Sequence, residues 1–260
     1  MKKLIINADD FGYSDHTVDW TVRCFNAGVL SSATLMVNRE AFGRAVEYAR
    51  MNPQYSFGLH LCLSDECPVS TPSEIPSLVT HDGLLLPTKD FVKRCFLGKI
   101  KRADLEREIR AQFRRLRDAG IEPSHLDGHG HMHRIPFVLR SLINLRDELQ
   151  LTRMRPAQDI FYKQPSLPFT PWLNQWVNRR LKRRFKTPAH FLMTSGKIGE
   201  KDRDWIEATI INFFFEDIVE IGVHPGVDED WRRLDIEVLL QTAPRLFDEN
   251  NVKLVSYCAI

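Results

Sequence analysis

The sequence predicts an α/β protein whose parallel strands curl into a (β/α) barrel of seven to eight strands, TIM-like in plan but incomplete or distorted. Short β-type runs alternate with amphipathic helical stretches along the chain, as in barrels and open parallel sheets. Polar side chains recur where the predicted strands end, which is the functional face of such folds. No Gly/Ser-rich linker divides the 260 residues, and 43% of them are hydrophobic, so we expect one domain over residues 1–260.

The first half of the chain supplies four of these strands. Apolar runs predict the strands, and Ser14 as an N-cap, with Gly28 and Gly120 as stops, delimits two of the helices. The predicted strands are Leu4–Ala8, Ser32–Val37, Ser56–Leu61 and a run ending near Asp127, and the helices lie between Ser14 and Gly28, over Arg39–Met51 and over Lys101–Ala119.

The second half predicts four further strands and contains two irregular segments. The strands are Leu151–Arg155, Phe191–Thr194, Ile218–Val223 and Lys253–Tyr257. Prolines without clear periodicity break the alternation near residues 64–98 and near 160–188, and we expect insertions at both. The first could form a wall or a lid over a site, and the second carries tryptophans and a basic cluster.

Composition narrows the class of protein. Lys and Arg number 36 against 34 Asp and Glu, and this balance gives no indication of nucleic-acid binding. The five cysteines form no C-x-x-C pair, which suits a reducing compartment. No segment resembles a signal peptide or a membrane span. We therefore expect a cytoplasmic protein.

The segment His125–His133 is the most informative part of the sequence. It carries four histidines and Asp127 on alternate positions, and in an extended chain all five side chains would share one face. Buried imidazole and carboxylate groups need each other or a metal as partners. By contrast, three other histidines match no motif and are interpreted as ordinary surface or core residues, namely His16, His81 and His190.

Several polar residues follow predicted strands and are expected to meet at one end of the barrel. They are Asp9 and Asp10, Asn38, His60, Asp127 and His129, Arg155 and His224. Any one of them could be a helix cap, but a coincidence across six strands predicts a site. An aspartate with His60 and His129 makes a reasonable open site for a divalent cation, and such ligands favour Zn²⁺, Co²⁺ or Mn²⁺. The neighbouring carboxylate could then accept a proton from water.

Four motifs occur in an order and spacing that resemble one family. They are Asn7-Ala-Asp-Asp-Phe-Gly12, Gly58-Leu-His-Leu-Cys-Leu63, His125-Leu-Asp-Gly-His129 and Gly222-Val-His-Pro-Gly226. The chain resembles the YdjC-like carbohydrate deacetylases, a family that includes chitooligosaccharide deacetylases and hopanoid-associated amino-sugar deacetylases. The resemblance implies a barrel related to that of polysaccharide deacetylases. It also implies hydrolysis of an N-acetyl group from an amino sugar, with release of acetate, by a divalent cation that in the family is Mg²⁺.

The resemblance also implies roles for individual residues. Asp10, His60 and His129 would hold the metal. Asp9 would be the general base and His224, as an imidazolium near neutral pH, the general acid. The remaining motif residues would orient the ligands or contact the sugar, namely His125, Asp127, His131 and His133, and Arg155 would pair with Asp9 or hold substrate.

Two other classes of function stay open at this point. His-x-His clusters with an aspartate also build amidohydrolase and phosphoesterase sites, although the chain has no Gly-rich phosphate loop. A non-catalytic glycan-binding protein could instead stack sugars on tryptophans, with Trp172, Trp176, Trp205 and Trp231 as candidates. A basic helix over 172–186 could rest on a membrane surface, but a solvated outer helix is the favoured interpretation. A homodimer is a further expectation.

Overall fold

The structure is a computed structural model that describes residues 2–163, 168–194, 199–212, 217–227 and 229–260. Over these residues it forms one sheet of seven strands, and every pairing between strands is parallel. The sheet order is β4-β3-β2-β1-β6-β5, with β7 paired to β1. The strands are β1 Lys2–Phe11, β2 Ser32–Leu35, β3 Ser56–Leu61, β4 Leu126–Gly128, β5 His190–Met193, β6 Ile218–Val223 and β7 Val252–Leu254.

The predicted strand at Leu151–Arg155 is reduced to isolated bridges. Met154 bridges Leu126 of β4, and farther along the chain Ile160 bridges Leu192 of β5. This segment therefore spans the gap between the two ends of the curled sheet without a regular ladder. Pro156 lacks the amide hydrogen that a continuous ladder needs. The predicted α/β fold with curled parallel strands is confirmed, and seven of the eight predicted strands form.

Eight α-helices lie among the described residues. They are α1 Asp15–Asn26, α2 Phe42–Met51, α3 Thr88–Phe96, α4 Arg102–Asp118, α5 Pro136–Leu145, α6 Thr170–Leu181, α7 Trp205–Asn212 and α8 Asp230–Glu249. The Ser14 hydroxyl caps α1 by accepting the Thr17 amide at 3.1 Å, as the sequence predicts. Helix α3 lies within the first predicted insertion and α6 within the second, of which residues 164–167 lie outside the described part.

Alternation along the strands separates an apolar face from a polar interior. On β1, Leu4, Ile6 and Ala8 belong to the hydrophobic core, whereas Asn7 and Asp9, on the alternate positions, are buried polar side chains. The other central strands repeat this division, with His60 on β3 and Glu220 on β6 between core residues. Because residues two apart share a face, the polar side chains of neighbouring strands meet inside the barrel.

The floor of this interior is closed by a close contact between side chain and backbone. The His125 ring stacks on Tyr257 with centroids 3.5 Å apart. A Cβ at Gly58 would lie 2.6 Å from the His125 ring, so β3 needs glycine where the imidazole crosses it. In the described part of the chain, none of the helices has the length and apolar character that crossing a membrane requires.

Candidate metal and catalytic site

The Asp9-Asp10 pair lies within β1 rather than after it, which corrects the sequence-based boundary. Asp10 has a φ of 59°, in the left-handed region that aspartate tolerates better than most residues. The pairing of β1 with β2 also shifts register between Ala8 and Phe11. This irregularity breaks the strict alternation of the strand, so that both adjacent carboxylates face the same interior.

Asp10, His60 and His129 come together as one cluster of donor atoms. Oδ1 of Asp10 lies 3.1 Å from Nε2 of His60 and 3.1 Å from Nδ1 of His129. Two metal bonds of about 2.05 Å that subtend about 98° would produce the same separation, between octahedral and tetrahedral geometry. All three donor atoms lie within 4.8 Å of one another. The residues therefore fit a divalent cation.

A carboxylate backs the His60 ring on its other side. Oδ1 of Asp127 lies 2.8 Å from Nδ1 of His60, and Thr34 donates its hydroxyl to Oδ2 of Asp127 at 3.0 Å. An acceptor behind a metal-binding imidazole fixes its tautomer and its orientation. Burial lowers the pKa of His60, but Asp127 and Asp10 outweigh it and raise the pKa to about 10. A cation at Nε2 would take the place of that proton.

Asp9 is held by a buried arginine. Both of its carboxylate oxygens accept hydrogen bonds of 2.6 Å from the two Nη atoms of Arg155, and Asn7 adds a third at 2.9 Å. Burial raises the pKa of Asp9, but Arg155, with help from His60 and His224, holds it well below its usual range. Asp9 is therefore an oriented carboxylate with low basicity.

Arg155 also contacts two further buried carboxylates. Its Nη1 lies 2.7 Å from Asp127 and its Nε donates to Glu220 at 2.7 Å, so one guanidinium serves three carboxylates. The Tyr257 hydroxyl donates to the other Glu220 oxygen at 2.5 Å. Burial raises the pKa of Glu220 to about 7 despite the Arg155 charge. No sequence motif pointed to Glu220, although a single carboxylate inside an otherwise apolar strand is a usable signal.

His224 directly follows β6, and its ring lies near Asp9. Its Nε2 is 4.0 Å from Oδ2 of Asp9, its ring meets the edge of Trp231, and its amide donates to Asp235 at 3.3 Å. Burial lowers the pKa of His224 to about 4, which Asp9 and Asp10 only partly oppose. His224 is therefore neutral at pH 7 in the resting site, not the imidazolium that the sequence analysis expected.

Arg232 is a second buried guanidinium at the site, and no sequence motif pointed to it. Its Nη2 donates to Oδ2 of Asp10 at 2.7 Å, and its Nε donates to Glu229 at 3.0 Å. The Tyr13 and Trp231 rings lie 5.8 and 4.9 Å from the guanidinium carbon. Asp10 thus has one oxygen directed at two imidazoles and the other bound to a cationic side chain.

The expectation that the side chains of His125–His133 share one face is wrong. Only Leu126–Gly128 is extended, and a 3₁₀ helix begins at His129, with Gly130 and His131 at positive φ. The chain therefore turns away from the strand direction after the metal cluster, and the two-residue alternation ends there.

Of this segment, His129 belongs to the Asp10, His60 and His129 donor cluster and Asp127 contacts its His60 ring, whereas the other three histidines make no hydrogen bond to the cluster within the described part of the chain. His125 stacks on Tyr257 at the floor, and His131 faces the edge of Phe191 with centroids 5.9 Å apart. His133 is buried, and neither of its ring nitrogens has a partner among the described residues. Burial lowers the pKa of His125 and of His133 well below the usual value, so both are neutral.

The four candidate tryptophans are dispersed. Trp205 is fully buried, Trp176 carries Arg180 on its face at 3.4 Å, and Trp172 is exposed at the start of α6. Trp231 alone borders the site, against His224. The tryptophans therefore do not form one sugar-stacking surface in the described part of the chain.

A protein-family model, several curated proteins and a crystal structure match this chain. The family model described as YdjC-like protein matches residues 3–250. A carbohydrate deacetylase of Brevibacillus brevis is 39% identical over 149 residues, which is 57% of each chain. One of Thermoanaerobacter pseudethanolicus is 27% identical over 233 residues, covering 88% of this chain and 83% of the relative.

This chain matches about half the length of several curated relatives. Over the first three curated relatives, the matched segments span 57%, 59% and 49% of the relative's length. The crystal structure of an Enterococcus faecalis protein shares the fold, with a TM-score of 0.77 and 24% identity over 99% of this chain and 98% of that one.

Proposed function

The chain belongs to the YdjC-like protein family, and from this premise we propose that it is a metal-dependent carbohydrate N-deacetylase. The substrate would be an amino sugar that carries an N-acetyl group, free or within an oligosaccharide. One water is consumed, the C–N bond of the acetamide breaks, and acetate and a free amine are released. Two curated relatives that carry the name carbohydrate deacetylase support this proposal.

The observation that carries the proposal is that a set of potential metal ligands lies directly beside a pair of residues that can transfer protons. Asp10, His60 and His129 offer three donor atoms within 4.8 Å of one another. Directly beside them stand an ionised Asp9 and a neutral His224, whose nearest atoms are 4.0 Å apart. Amide hydrolysis needs an electrophile for the carbonyl oxygen, an acceptor for a water proton and a donor for the leaving nitrogen.

Asp9 would accept the proton of the attacking water. A divalent cation held by Asp10, His60 and His129 would polarise the acetamide carbonyl and make the water more acidic. Arg155 fixes both oxygens of Asp9, so the carboxylate faces its target in a single orientation. Its low basicity means that the proton is held only briefly and passes on.

His224 would deliver a proton to the leaving amine. Because its pKa is lowered to about 4 by burial, it must first receive the proton, and Asp9 at 4.0 Å is the nearest source. The proton would therefore travel from water to Asp9, then to Nε2 of His224, and finally to the sugar nitrogen as the C–N bond breaks. This path carries one proton of the water to the amine. The other stays on the oxygen that becomes part of acetic acid and leaves when the acid ionises to acetate.

The identity of the cation follows two lines of reasoning. The family resemblance implies Mg²⁺, whereas two imidazoles and one carboxylate favour Zn²⁺, Co²⁺ or Mn²⁺ by ligand preference. We propose a first-row transition ion. Metal analysis of protein purified without added salts tests this, and a preparation that carries only Mg²⁺ would contradict it.

Acetate release from N-acetylglucosamine oligomers tests the function. We expect turnover that a chelator abolishes, and that readdition of the cation restores. His60→Ala and His129→Ala should lose both bound metal and turnover, whereas His16→Ala, an exposed histidine on α1, should retain both. Release of phosphate from sugar phosphates with no acetate would favour the phosphoesterase alternative, and binding of glycans without either product would favour a glycan-binding protein.

A further inference from the structure

The two oxygens of Asp10 have different environments. Oδ1 lies 3.1 Å from a ring nitrogen of His60 and 3.1 Å from one of His129. One cation could therefore bind all three atoms. Oδ2 accepts a hydrogen bond of 2.7 Å from Nη2 of Arg232. The Asp10 side chain is 1% exposed, so bulk solvent reaches neither oxygen.

Arg232 is held in place independently of Asp10. Its Nε donates to Glu229 at 3.0 Å, and its guanidinium carbon lies 4.9 Å from the Trp231 ring centroid and 5.8 Å from that of Tyr13. Arg232 is itself 8% exposed. A side chain fixed by a second ion pair and two aromatic faces keeps its position at low entropic cost. The guanidinium that contacts Asp10 thus has partners besides Asp10.

We propose that Arg232 is a positioning residue that restricts Asp10 to one coordinating oxygen and weakens cation binding. A carboxylate with both oxygens free can chelate a cation and occupy two coordination positions. With Oδ2 bound by Arg232, Asp10 offers only Oδ1, which leaves a further position for water and the acetamide oxygen. The guanidinium charge also repels a divalent cation across the carboxylate. This inference rests on the metal-dependent function proposed above.

The direction of the effect separates this role from a structural one. Loss of a merely structural contact would disorder Asp10 and weaken metal binding. Loss of Arg232 in the proposed role removes a repelling charge and frees Oδ2, so binding becomes tighter while catalysis suffers. Tight binding with slow turnover is the signature that the proposal requires.

The experiment measures Zn²⁺ affinity of the full-length chain by competition with a chromogenic chelator. Arg232→Gln should bind Zn²⁺ roughly tenfold more tightly than wild type or better. Arg232→Lys keeps the charge, and Arg233→Gln removes the charge of the exposed neighbour that pairs with Asp230 instead, so both should stay within about threefold of wild type. Unchanged or weaker binding by Arg232→Gln would overturn the proposal.

Two further measurements complete the test. The visible absorption of the Co²⁺-loaded protein reports coordination number, and Arg232→Gln should show the weaker bands of a higher coordination number. Acetate release should fall about tenfold or more in Arg232→Gln with the cation saturating. If wild type binds Zn²⁺ but deacetylates no sugar while Arg232→Gln still binds more tightly, the deacetylase proposal fails and this inference stands. A wild-type protein that binds no divalent cation would refute both.

Discussion

Replacement of Glu220 by glutamine should make the protein relatively more stable as the pH rises. Glu220 lies fully buried on β6, between the Nε of Arg155 and the Tyr257 hydroxyl. Burial raises its pKa from 4.5 to about 7, although Arg155 favours the charged form. Glutamine resembles the protonated acid in shape and hydrogen bonding, so the substitution removes the titration and keeps the contacts.

The magnitude follows from linkage between protonation and folding. A carboxyl group whose pKa is raised in the folded state favours folding at pH values below its unfolded pKa, and that contribution is lost as the pH rises through the folded pKa. For a shift from 4.5 to about 7, the loss between pH 5 and pH 8 is about 2.5 kcal/mol. Glu220→Gln does not suffer this loss. Its free energy of unfolding relative to wild type should therefore increase by about 2.5 kcal/mol over that range.

Urea unfolding of the metal-free protein, followed by circular dichroism at pH 5, 6, 7 and 8, measures this difference. Subtraction of wild type cancels the other titrating groups, including His224. Asp235→Asn is a matched comparison, because burial also raises the pKa of Asp235 to about 7, and it should show a similar slope. A Glu220→Gln difference that is flat, or that falls with pH, would refute the reasoning and show that Arg155 keeps Glu220 ionised.

The remaining predictions concern the site, the strands and the surface. Asp9→Asn should retain bound cation and lose turnover, and loss of the cation would mean that the two aspartates exchange roles. His224→Ala should slow amide hydrolysis far more than hydrolysis of activated esters, whose leaving group needs no proton, and equal losses would indicate a binding role. Gly58→Ala should cost about 3 kcal/mol or more in unfolding experiments, because its Cβ would meet His125 at 2.6 Å, whereas Gly43→Ala in the open space along α2 should be neutral or stabilising. The protein should not co-sediment with anionic liposomes at low salt, because Val177, Leu181 and Phe185 of residues 172–186 are buried in the core and only Trp172 and Leu173 offer exposed apolar side chains there. Binding that six basic substitutions abolish would contradict this.

The strands, and the three residues whose donor atoms come together, namely Asp10, His60 and His129, follow from local patterns in the sequence. His60 and His129 follow from their position at the carboxyl ends of strands, which meet wherever strands are parallel. The extended form assigned to 125–133 was wrong, because positive φ at Gly130 and His131 reverses the chain there. The alternating spacing of the histidines predicts which side chains share a face only as far as the strand extends. The strand ends at Gly128, and the sequence pattern did not indicate that end.

The residues that were missed act through long-range contacts. Arg232 lies 222 positions from Asp10 in the chain, and an arginine near a helix start is ordinary in any sequence. Glu220 was more visible, as a carboxylate between apolar neighbours on β6. Its partner Tyr257 comes from the last residues described, where sequence periodicity gives no indication of what the side chain contacts. Such side-chain contacts form when the barrel closes, and local secondary-structure propensity gives no indication of them.

Arg155 explains why the two halves of the site depend on each other. Its Nη1 lies 2.6 Å from Asp9, the base in the mechanism proposed above, and 2.7 Å from Asp127, whose other oxygen contacts Nδ1 of His60, a proposed metal ligand. A shift of the guanidinium would therefore change proton transfer and metal geometry together, and removal would leave three buried carboxylates without a counter-charge. Breaking such a network costs about 3–5 kcal/mol. The same buried guanidinium thus contacts the proposed base and neutralises carboxylates inside the barrel, and Glu220, which also accepts a hydrogen bond from Tyr257, helps to hold it in place.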